Sequence, residues 1–223
     1  MLLGVNLDWD SETLSEHREN LGHDPAVVVQ FSDIPYDDET WAHTTNAVTQ
    51  VRPTGGGVLL LTLEPHGGLE TMSDEVIAKL ATDLRAVNDQ GGTPVVVRFA
   101  HEMNGSWYSW GQQPLRYVEV FRKVAAAIHA GAPGSSMMWA PNYGGGYPFT
   151  GGGQFAARPG TGDFAALDTD RNGALTMADD TYALLPRERR RGLGGSFAVS
   201  LGAISGLGGG TTISRSPASS WPC

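Results

Sequence analysis

Residues 94–105 read Pro94-Val-Val-Val-Arg-Phe-Ala-His-Glu-Met-Asn-Gly105, and this stretch carries the main signal for the fold. Its first half is a short apolar run, which is typical of a strand covered on both faces in a parallel sheet. Its second half turns polar at His101 and Glu102. α/β folds place their active sites just past the C-terminal ends of such strands. We therefore expect residues 94–99 to form a buried strand and Glu102 to lie at a functional edge of the sheet.

The same strand–helix unit recurs on both sides of this stretch. Apolar strands are predicted at residues 2–6, 26–31, 57–63, 94–99 and 137–140. Helices are predicted at about 11–21 and 38–51, after an N-cap at Ser73, and from Pro114 onward. Polar groups cluster at the C-terminal ends of the strands: Asn6, Asp8, Ser32, Asp33, Glu64, His101, Glu102 and Asn142. The pattern predicts an α/β fold of the (β/α)8 TIM-barrel type, with only about five βα units present and the barrel incomplete.

Glu102 is the strongest candidate for a catalytic residue. Cleavage of a glycosidic bond needs an acid that protonates the leaving oxygen and a carboxylate that stabilises the oxocarbenium centre. Apolar neighbours can supply the raised pKa that a proton donor needs, and Phe99 and Met103 flank Glu102. Aromatic rings, which also stack on sugars, follow in the next loop: Trp107, Tyr108 and Trp110. A zinc site of the His-Glu-x-x-His type is excluded, because Gly105 stands at its last position.

Residues 98–111, Arg-Phe-Ala-His-Glu-Met-Asn-Gly-Ser-Trp-Tyr-Ser-Trp-Gly, resemble the strand-four signature of glycoside hydrolase family 26. This is the β-mannanase family of the large clan of (β/α)8 retaining glycosidases. Trp139-Ala-Pro-Asn142 is similar to the end of the family's fifth strand. The resemblance covers roughly residues 1–183. It implies an endo-β-1,4-mannanase-like enzyme that cleaves a β-linked polysaccharide with retention, although some members act on β-1,3/1,4-glucans or xylans.

The resemblance also implies roles for individual residues. Glu102 is expected to be the acid/base. Substrate binding is expected from seven further residues: His101, Asn104, Trp107, Trp110, Trp139, Asn142 and Glu64. The family's nucleophile is a second glutamate at the end of strand seven, and no residue of this chain matches it. Glu64 follows strand three, which departs from the family plan, so we expect it to have a substrate-binding or structural role.

A second motif lies at residues 168–179, which follow the twelve-position pattern of a calcium loop. Asp168, Asp170 and Asn172 occupy positions 1, 3 and 5, Ala174 position 7 and Asp179 position 12. An Asp/Asn/Gly-rich turn needs no ion, and Asp179 is shorter than the usual glutamate. We expect a structural Ca²⁺ here and no cofactor for catalysis, since two carboxylates suffice for glycoside cleavage.

Composition excludes several classes of protein. The net charge of −9 argues against a nucleic-acid partner. No apolar run is long enough for a transmembrane helix, and the first residues do not resemble a signal peptide. The only cysteine is Cys223, which excludes a disulfide framework. The sequence predicts no obligate protein partner, and it leaves the cellular compartment open.

The composition changes near residue 183. Residues 184–223 carry five arginines and one acid, and they are rich in glycine and serine. Such a segment is typical of a disordered tail. A shift of the reading frame by one base is a sharper hypothesis. Codons from Leu184 onward, read in another frame, can encode Tyr-Tyr-Pro-Gly and later Asp-Trp-Val-Gly-Leu-Ser-Leu-Tyr-His-Trp. That pattern resembles the family's sixth-strand region. We therefore expect residues 1–183 to be the N-terminal part of the catalytic barrel and residues 184–223 to be a non-native, out-of-frame tail.

Two other functions stay open at the level of sequence. A non-catalytic carbohydrate-binding protein would keep the aromatic cleft without turnover. A doubly wound enzyme with a phosphate-containing ligand is supported only by Gly192-Leu-Gly194, which no predicted strand precedes.

Overall fold

The computed structural model describes residues 3–142, 153–176 and 178–179. It contains five strands, β1 (Gly4–Asn6), β2 (Val27–Asp33), β3 (Val58–Glu64), β4 (Val95–Phe99) and β5 (Ser135–Met138). Five α-helices alternate with or follow them: α1 (Leu14–Leu21), α2 (Asp38–Val51), α3 (Asp74–Gly91), α4 (Pro114–Gly131) and α5 (Gly162–Leu167). The predicted α/β class is confirmed. The predicted tail at residues 184–223 lies outside the described residues.

The strand order identifies the type of α/β fold. All neighbouring pairs are parallel, and the sheet order β1-β2-β3-β4-β5 follows the chain without a reversal. A doubly wound sheet reverses its order at a switch point, whereas a barrel adds each new strand beside the last one. The described strands therefore form a partial barrel, as predicted from the sequence.

One face of the sheet is covered by helices, and the other is more open. On β3 the helix side is fully buried: Leu59, Leu61 and Leu63. The alternate side chains point to the opposite face, which we call the inner face because it would be the interior of a closed barrel. Phe31, Thr62 and Arg98 form one row across β2, β3 and β4 on this inner face.

The helix starts are set by local sequence. Ser73 accepts a hydrogen bond from the backbone N–H of Val76, which confirms the predicted cap of α3. Pro114 is the first residue of α4, as predicted. Helix α1 begins at Leu14, three residues later than predicted. Thr13 and Glu16 form a reciprocal capping box there, which fixes the start.

Helix α4 is anchored to β4 beneath the site. The buried Tyr117 hydroxyl donates to the carbonyl of Phe99 at 3.1 Å. Phe99 and Tyr117 also stack at 6.4 Å between ring centroids. This contact fixes the end of β4, from which the loop that carries Glu102 departs. No described helix combines the length and the apolar character that crossing a membrane would require.

Candidate active site

The loop after β4 holds Glu102 in an unusual backbone conformation. Ala100 and Glu102 both have left-handed φ angles, 46° and 54°. Non-glycine residues pay roughly 1–2 kcal/mol for this region, so the surrounding contacts must hold them there. One such contact is the Glu102 N–H, which donates to the carbonyl of Ala140 at 2.7 Å. This hydrogen bond joins Glu102 to the chain that follows β5 and fixes the position of the Glu102 backbone.

Among the described residues, the Glu102 carboxylate has one hydrogen-bond donor. The indole Nε1–H of Trp107 donates to Glu102 Oε2 at 3.0 Å. Both side chains are half-buried at the C-terminal edge of the sheet. Because a carboxylate that accepts a fixed hydrogen bond cannot rotate freely, Trp107 orients Glu102.

Arg98 is the charged residue of this site that sequence reasoning did not single out. It lies on the inner face of β4, where its Nε–H donates to Thr62 Oγ1 at 3.0 Å. Its guanidinium carbon lies 5.4 Å from the centre of the Phe31 ring. Burial lowers the pKa of Arg98, while the negative charges of Glu102 and Glu64 oppose that shift. The available signal was a single charge inside an otherwise apolar strand, which needs a partner when buried.

His101 is a buried, neutral ring beside Glu102. It is 5% exposed, and its Nε2 lies 3.3 Å from the hydroxyl of Tyr108. Burial, and after it the nearby charge of Arg98, lower the pKa of His101 to about 4, although Glu102 opposes the shift. The ring also meets the edge of Phe31 at 6.1 Å. His101 therefore borders the inner face as a neutral hydrogen-bonding group.

A second group of polar side chains lies at the ends of β2 and β3. Asp33 and Glu64 are register partners, and His66 follows two residues after Glu64. Desolvation raises the pKa of Glu64, with His66 lowering it and Asp33 adding to the rise. A cavity of about 280 Å³ opens here. It is lined by Gln30, Phe31, Ser32, Asp33, Thr40, His43 and Glu64.

Three predicted substrate-binding residues make contacts within the protein. Trp110 has no exposed surface, and its indole N–H donates to the carbonyl of His101 at 2.8 Å. Asn104 is 1% exposed, and its side-chain amide forms hydrogen bonds with the backbone of Asn142. The Trp139 ring packs edge-on against α4 through Tyr117 at 5.3 Å and Phe121 at 5.2 Å. Trp110 and Asn104 are buried and Trp139 is partly buried, so these residues support the site, while their contacts with a sugar stay a prediction.

The sequence-predicted residues that the structure does bring to the C-terminal edge are Glu102, His101, Trp107, Glu64 and Asn142. Tyr108 joins them through His101, and it stacks flat on the buried Trp110 at 4.3 Å. Trp110 therefore acts as the base of an aromatic stack whose upper member is Tyr108. Aromatic faces in this arrangement can bind the apolar face of a sugar ring.

The acidic loop at residues 168–179 adopts a compact turn. Asp168 Oδ2 accepts from the N–H of Gly173 at 3.0 Å, and Gly173 has a φ of 83° that favours glycine. Asp179 is 3% exposed and accepts from the N–H groups of Thr169 and Thr176, each at 2.7 Å. Carboxylate oxygens of Asp168, Asp170 and Asp179 lie within 4.8 Å of one another. Their spacing and chemistry fit the oxygen-only ligand set that Ca²⁺ prefers.

Comparison with known protein families finds a match to the central part of the chain. Residues 61–140 match the family model of Glycosyl hydrolase family 26. This segment contains the last four residues of β3 and all of α3, β4, α4 and β5, together with the loop that carries Glu102. No curated protein matches the chain.

Two solved structures show partial similarity. The YdhT protein from Bacillus subtilis is 15% identical with a TM-score of 0.43, and the match covers 63% of this chain and 56% of that one. The catalytic domain of the Bacillus sp. JAMB-750 GH26 endo-β-1,4-mannanase is 19% identical with a TM-score of 0.46, covering 64% and 50%. The chain thus spans about half the length of these structures. The family match confirms, for residues 61–140, the resemblance to glycosyl hydrolase family 26 that was predicted from the sequence.

Proposed function

We propose that this chain contains the acid/base half of a β-glycoside hydrolase, with Glu102 as the proton donor. The observation that carries the proposal is the fixed position of the Glu102 carboxylate. Its backbone is held in a left-handed conformation, and its Oε2 accepts the Trp107 N–H at 3.0 Å. The family match over residues 61–140 supports the same reaction class.

In the proposed mechanism, two carboxylates act on opposite sides of the anomeric carbon. Glu102 gives its proton to the leaving glycosidic oxygen while a second carboxylate attacks the anomeric carbon, so that a glycosyl–enzyme ester forms and the glycosidic bond breaks. Glu102, now ionised, then removes a proton from water, which attacks the ester and releases the sugar with retained configuration. The second carboxylate would come from a strand that this chain as written lacks.

The proposed substrate is a β-1,4-linked mannan. Trp107 and Tyr108 would present aromatic surface to the sugar, while His101 and Asn142 would border its binding groove. Glu64 and Arg98 would contribute charged groups at the inner face, which suit the hydroxyls of a neutral polysaccharide. We propose no cofactor for this reaction, and no nucleic acid or membrane as a partner.

We further propose that residues 1–183 and 184–223 differ in origin. In this proposal a one-base shift near codon 183 replaced the remaining strands of the barrel, and the chain as written is inactive because it lacks the nucleophile. Sequencing of the transcript across codon 183 tests this directly. An uninterrupted reading frame at that junction would defeat the frameshift hypothesis.

A structural Ca²⁺ ion is proposed for the loop at residues 168–179. The carboxylates of Asp168, Asp170 and Asp179, with Asn172 and the backbone of Ala174, would supply oxygen ligands. The ion would stabilise the loop and take no part in the chemistry.

The activity is tested on the protein whose reading frame is restored after residue 183. It is incubated with mannan, mixed-linkage glucan and xylan, and released reducing ends are measured. We expect cleavage of mannan, with the product's anomeric configuration retained by NMR. Saturable binding of mannan without release of reducing ends would instead support the non-catalytic carbohydrate-binding protein.

A further inference from the structure

The indole ring of Trp107, whose N–H donates to Glu102, is folded back over the backbone of Gly105. A Cβ atom at position 105 would overlap the ring carbons Cη2 and Cζ2 of Trp107, and it would lie 2.5 Å from Cε2. Carbon atoms in favourable contact are about 3.5–4.0 Å apart. The indole therefore occupies the space that a side chain at position 105 would need.

The part of the ring that lies on Gly105 is next to the atom that bonds Glu102. Cε2 is the ring carbon attached to Nε1, and the Nε1–H donates to Glu102 Oε2 at 3.0 Å. To reach contact distance from a Cβ at position 105, Cε2 would have to move by about 1 Å. Nε1 would move with it, and a hydrogen bond weakens steeply when its distance and angle leave the normal range. A side chain at position 105 would therefore break or weaken the bond between Trp107 and Glu102.

The backbone conformation of Gly105 does not itself call for glycine. Its φ angle lies outside the left-handed region, unlike that of Gly173 in the acidic loop. The three atoms nearest to a Cβ at position 105 all belong to the Trp107 ring. The requirement for glycine at this position therefore comes from the indole.

The backbone around position 105 is held by hydrogen bonds on both sides. The N–H of Gly105 donates to the carbonyl of Glu102 at 2.8 Å. In the next residue, Ser106 Oγ accepts from the N–H of Gly153, and the Ser106 carbonyl accepts from the N–H of Phe155, each at 3.0 Å. Because these bonds restrain the backbone, a side chain at position 105 would displace the indole ring instead.

Gly111, at the other end of the same loop, has a different kind of neighbour. A Cβ atom on Gly111 would overlap the carbonyl oxygen of Gly105 and lie 3.0 Å from that of Tyr108. A substitution at Gly111 would therefore displace backbone atoms, whereas a substitution at Gly105 would displace the end of one side chain. This contrast separates a glycine that the loop needs for its backbone path from one that the Trp107 ring needs for its position.

We propose that Gly105 is a positioning residue for the proton donor, because its lack of a side chain lets the Trp107 indole lie across the loop and donate to Glu102. This inference rests on the proposed function, in which Glu102 protonates the leaving oxygen. Gly105 touches neither the substrate nor the reacting atoms and acts through Trp107. A larger residue at position 105 would leave the Glu102 carboxylate free to rotate away from the glycosidic oxygen.

The position of the indole is tested by hydrogen exchange of the tryptophan side-chain N–H groups, followed by NMR on the full 223-residue chain. The Trp107 signal is the one that disappears in Trp107→Phe. Gly105→Ala should speed its exchange by at least about tenfold, because the N–H loses its acceptor. Gly56→Ala is the matched control, since a Cβ there meets no atom within 4 Å, and it should leave the exchange unchanged. Unchanged exchange of the Trp107 N–H in Gly105→Ala would overturn the proposal, and so would equal loss of protection at the buried Trp110 N–H.

A double variant separates positioning from a general structural effect. In the frame-restored protein, Gly105→Ala should lower kcat on mannan by roughly tenfold or more with little change in KM, because Glu102 loses its hydrogen bond. In a Trp107→Ala background there is no ring to displace, so the same substitution should change kcat by less than about twofold. A tenfold loss in that background as well would overturn the proposal. Absence of mannan cleavage by the frame-restored wild type would count against the proposed function alone, because the exchange measurement needs no hydrolysis.

Discussion

The side chain of Asn104 and the backbone of Asn142 form a reciprocal pair of hydrogen bonds. Asn104 Oδ1 accepts from the Asn142 N–H at 2.8 Å, and Asn104 Nδ2 donates to the Asn142 carbonyl at 2.9 Å. The pair joins the loop after β4 to the chain after β5, in parallel with the bond from the Glu102 N–H to the carbonyl of Ala140. The position of Glu102 therefore depends on a side chain that does not itself face the groove.

Replacement of Asn104 by Ala should lower the free energy of unfolding by about 2–3 kcal/mol, because two hydrogen bonds are lost and buried backbone groups lose their partner. Urea denaturation measures this change. Asn46→Ala, on the exposed side of α2, should cost no more than about 0.5 kcal/mol. An equal effect of the two substitutions would show that the hydrogen bonds between Asn104 and Asn142 are not needed for stability.

The proton-donor role of Glu102 predicts a dependence on the leaving group. In the frame-restored protein, Glu102→Gln should reduce turnover of mannan by about 10²–10⁴-fold, because the glycosidic oxygen then leaves unprotonated. Glycosides with a nitrophenolate leaving group need little protonation. Formation of the glycosyl–enzyme should therefore be nearly unaffected, whereas its hydrolysis still needs Glu102 as the base. A burst of nitrophenol should appear as a result. Glu19→Gln, an exposed change on α1, is the control and should leave turnover unaltered. Full activity of Glu102→Gln on mannan would remove Glu102 from the mechanism.

Trp107 orients Glu102 through its N–H, and this role can be separated from its aromatic surface. Trp107→Phe keeps an aromatic ring but removes the donor to Glu102 Oε2. A hydrogen bond to a charged group contributes about 1.5–3 kcal/mol, so kcat of the frame-restored protein should fall by roughly tenfold or more. KM should change little, since the ring remains. Trp41→Phe, at a ring that stacks on Tyr36 away from the site, should change neither constant.

The fold could be predicted because its signals are local. The apolar run of β4, the serine cap of α3 and the proline that begins α4 are each encoded within a few residues. The end of β5 was less predictable: the strand is Ser135–Met138 rather than 137–140. Its small polar serines pair with β4, a long-range contact that no local pattern indicates.

The site was predicted less completely, and the reason is the direction of the side chains. A strand with apolar residues on both faces does not reveal which residues face the helices, so Trp139 could not be assigned to α4 from its sequence. Burial of Trp110 and Asn104 likewise depends on packing between distant segments. Arg98, which sequence reasoning did not single out, was the available signal for the inner face of β4, because a buried charge needs a partner.

The low pKa of His101 predicts a pH-dependent stability. Its pKa is lowered from 6.5 to about 4 in the folded protein, mainly by burial. Between these values the unfolded chain binds more protons, so the free energy of unfolding rises with pH across this window and falls as the pH drops toward 4. The contribution is about 2–3 kcal/mol. This pH dependence should be present in the wild type and absent from His101→Phe, as measured by urea denaturation at pH 4–7. His129→Gln, which removes an exposed histidine, should keep the wild-type slope.

The acidic loop makes a prediction that depends on ion type. If Asp168, Asp170 and Asp179 hold Ca²⁺, the ion stabilises the folded state by about 2.7 kcal/mol at a concentration one hundred times its Kd. Calcium should therefore raise Tm by several degrees, and Mg²⁺ should raise it less because it requires a smaller octahedral site. Asp168→Asn removes a ligand charge and should abolish the shift, whereas Asp89→Asn, an exposed carboxylate paired with Arg85, should leave it unchanged. Asp179 also accepts hydrogen bonds from backbone N–H groups of the loop. An identical Tm with Ca²⁺ and with a chelator would show that these hydrogen bonds alone hold the loop.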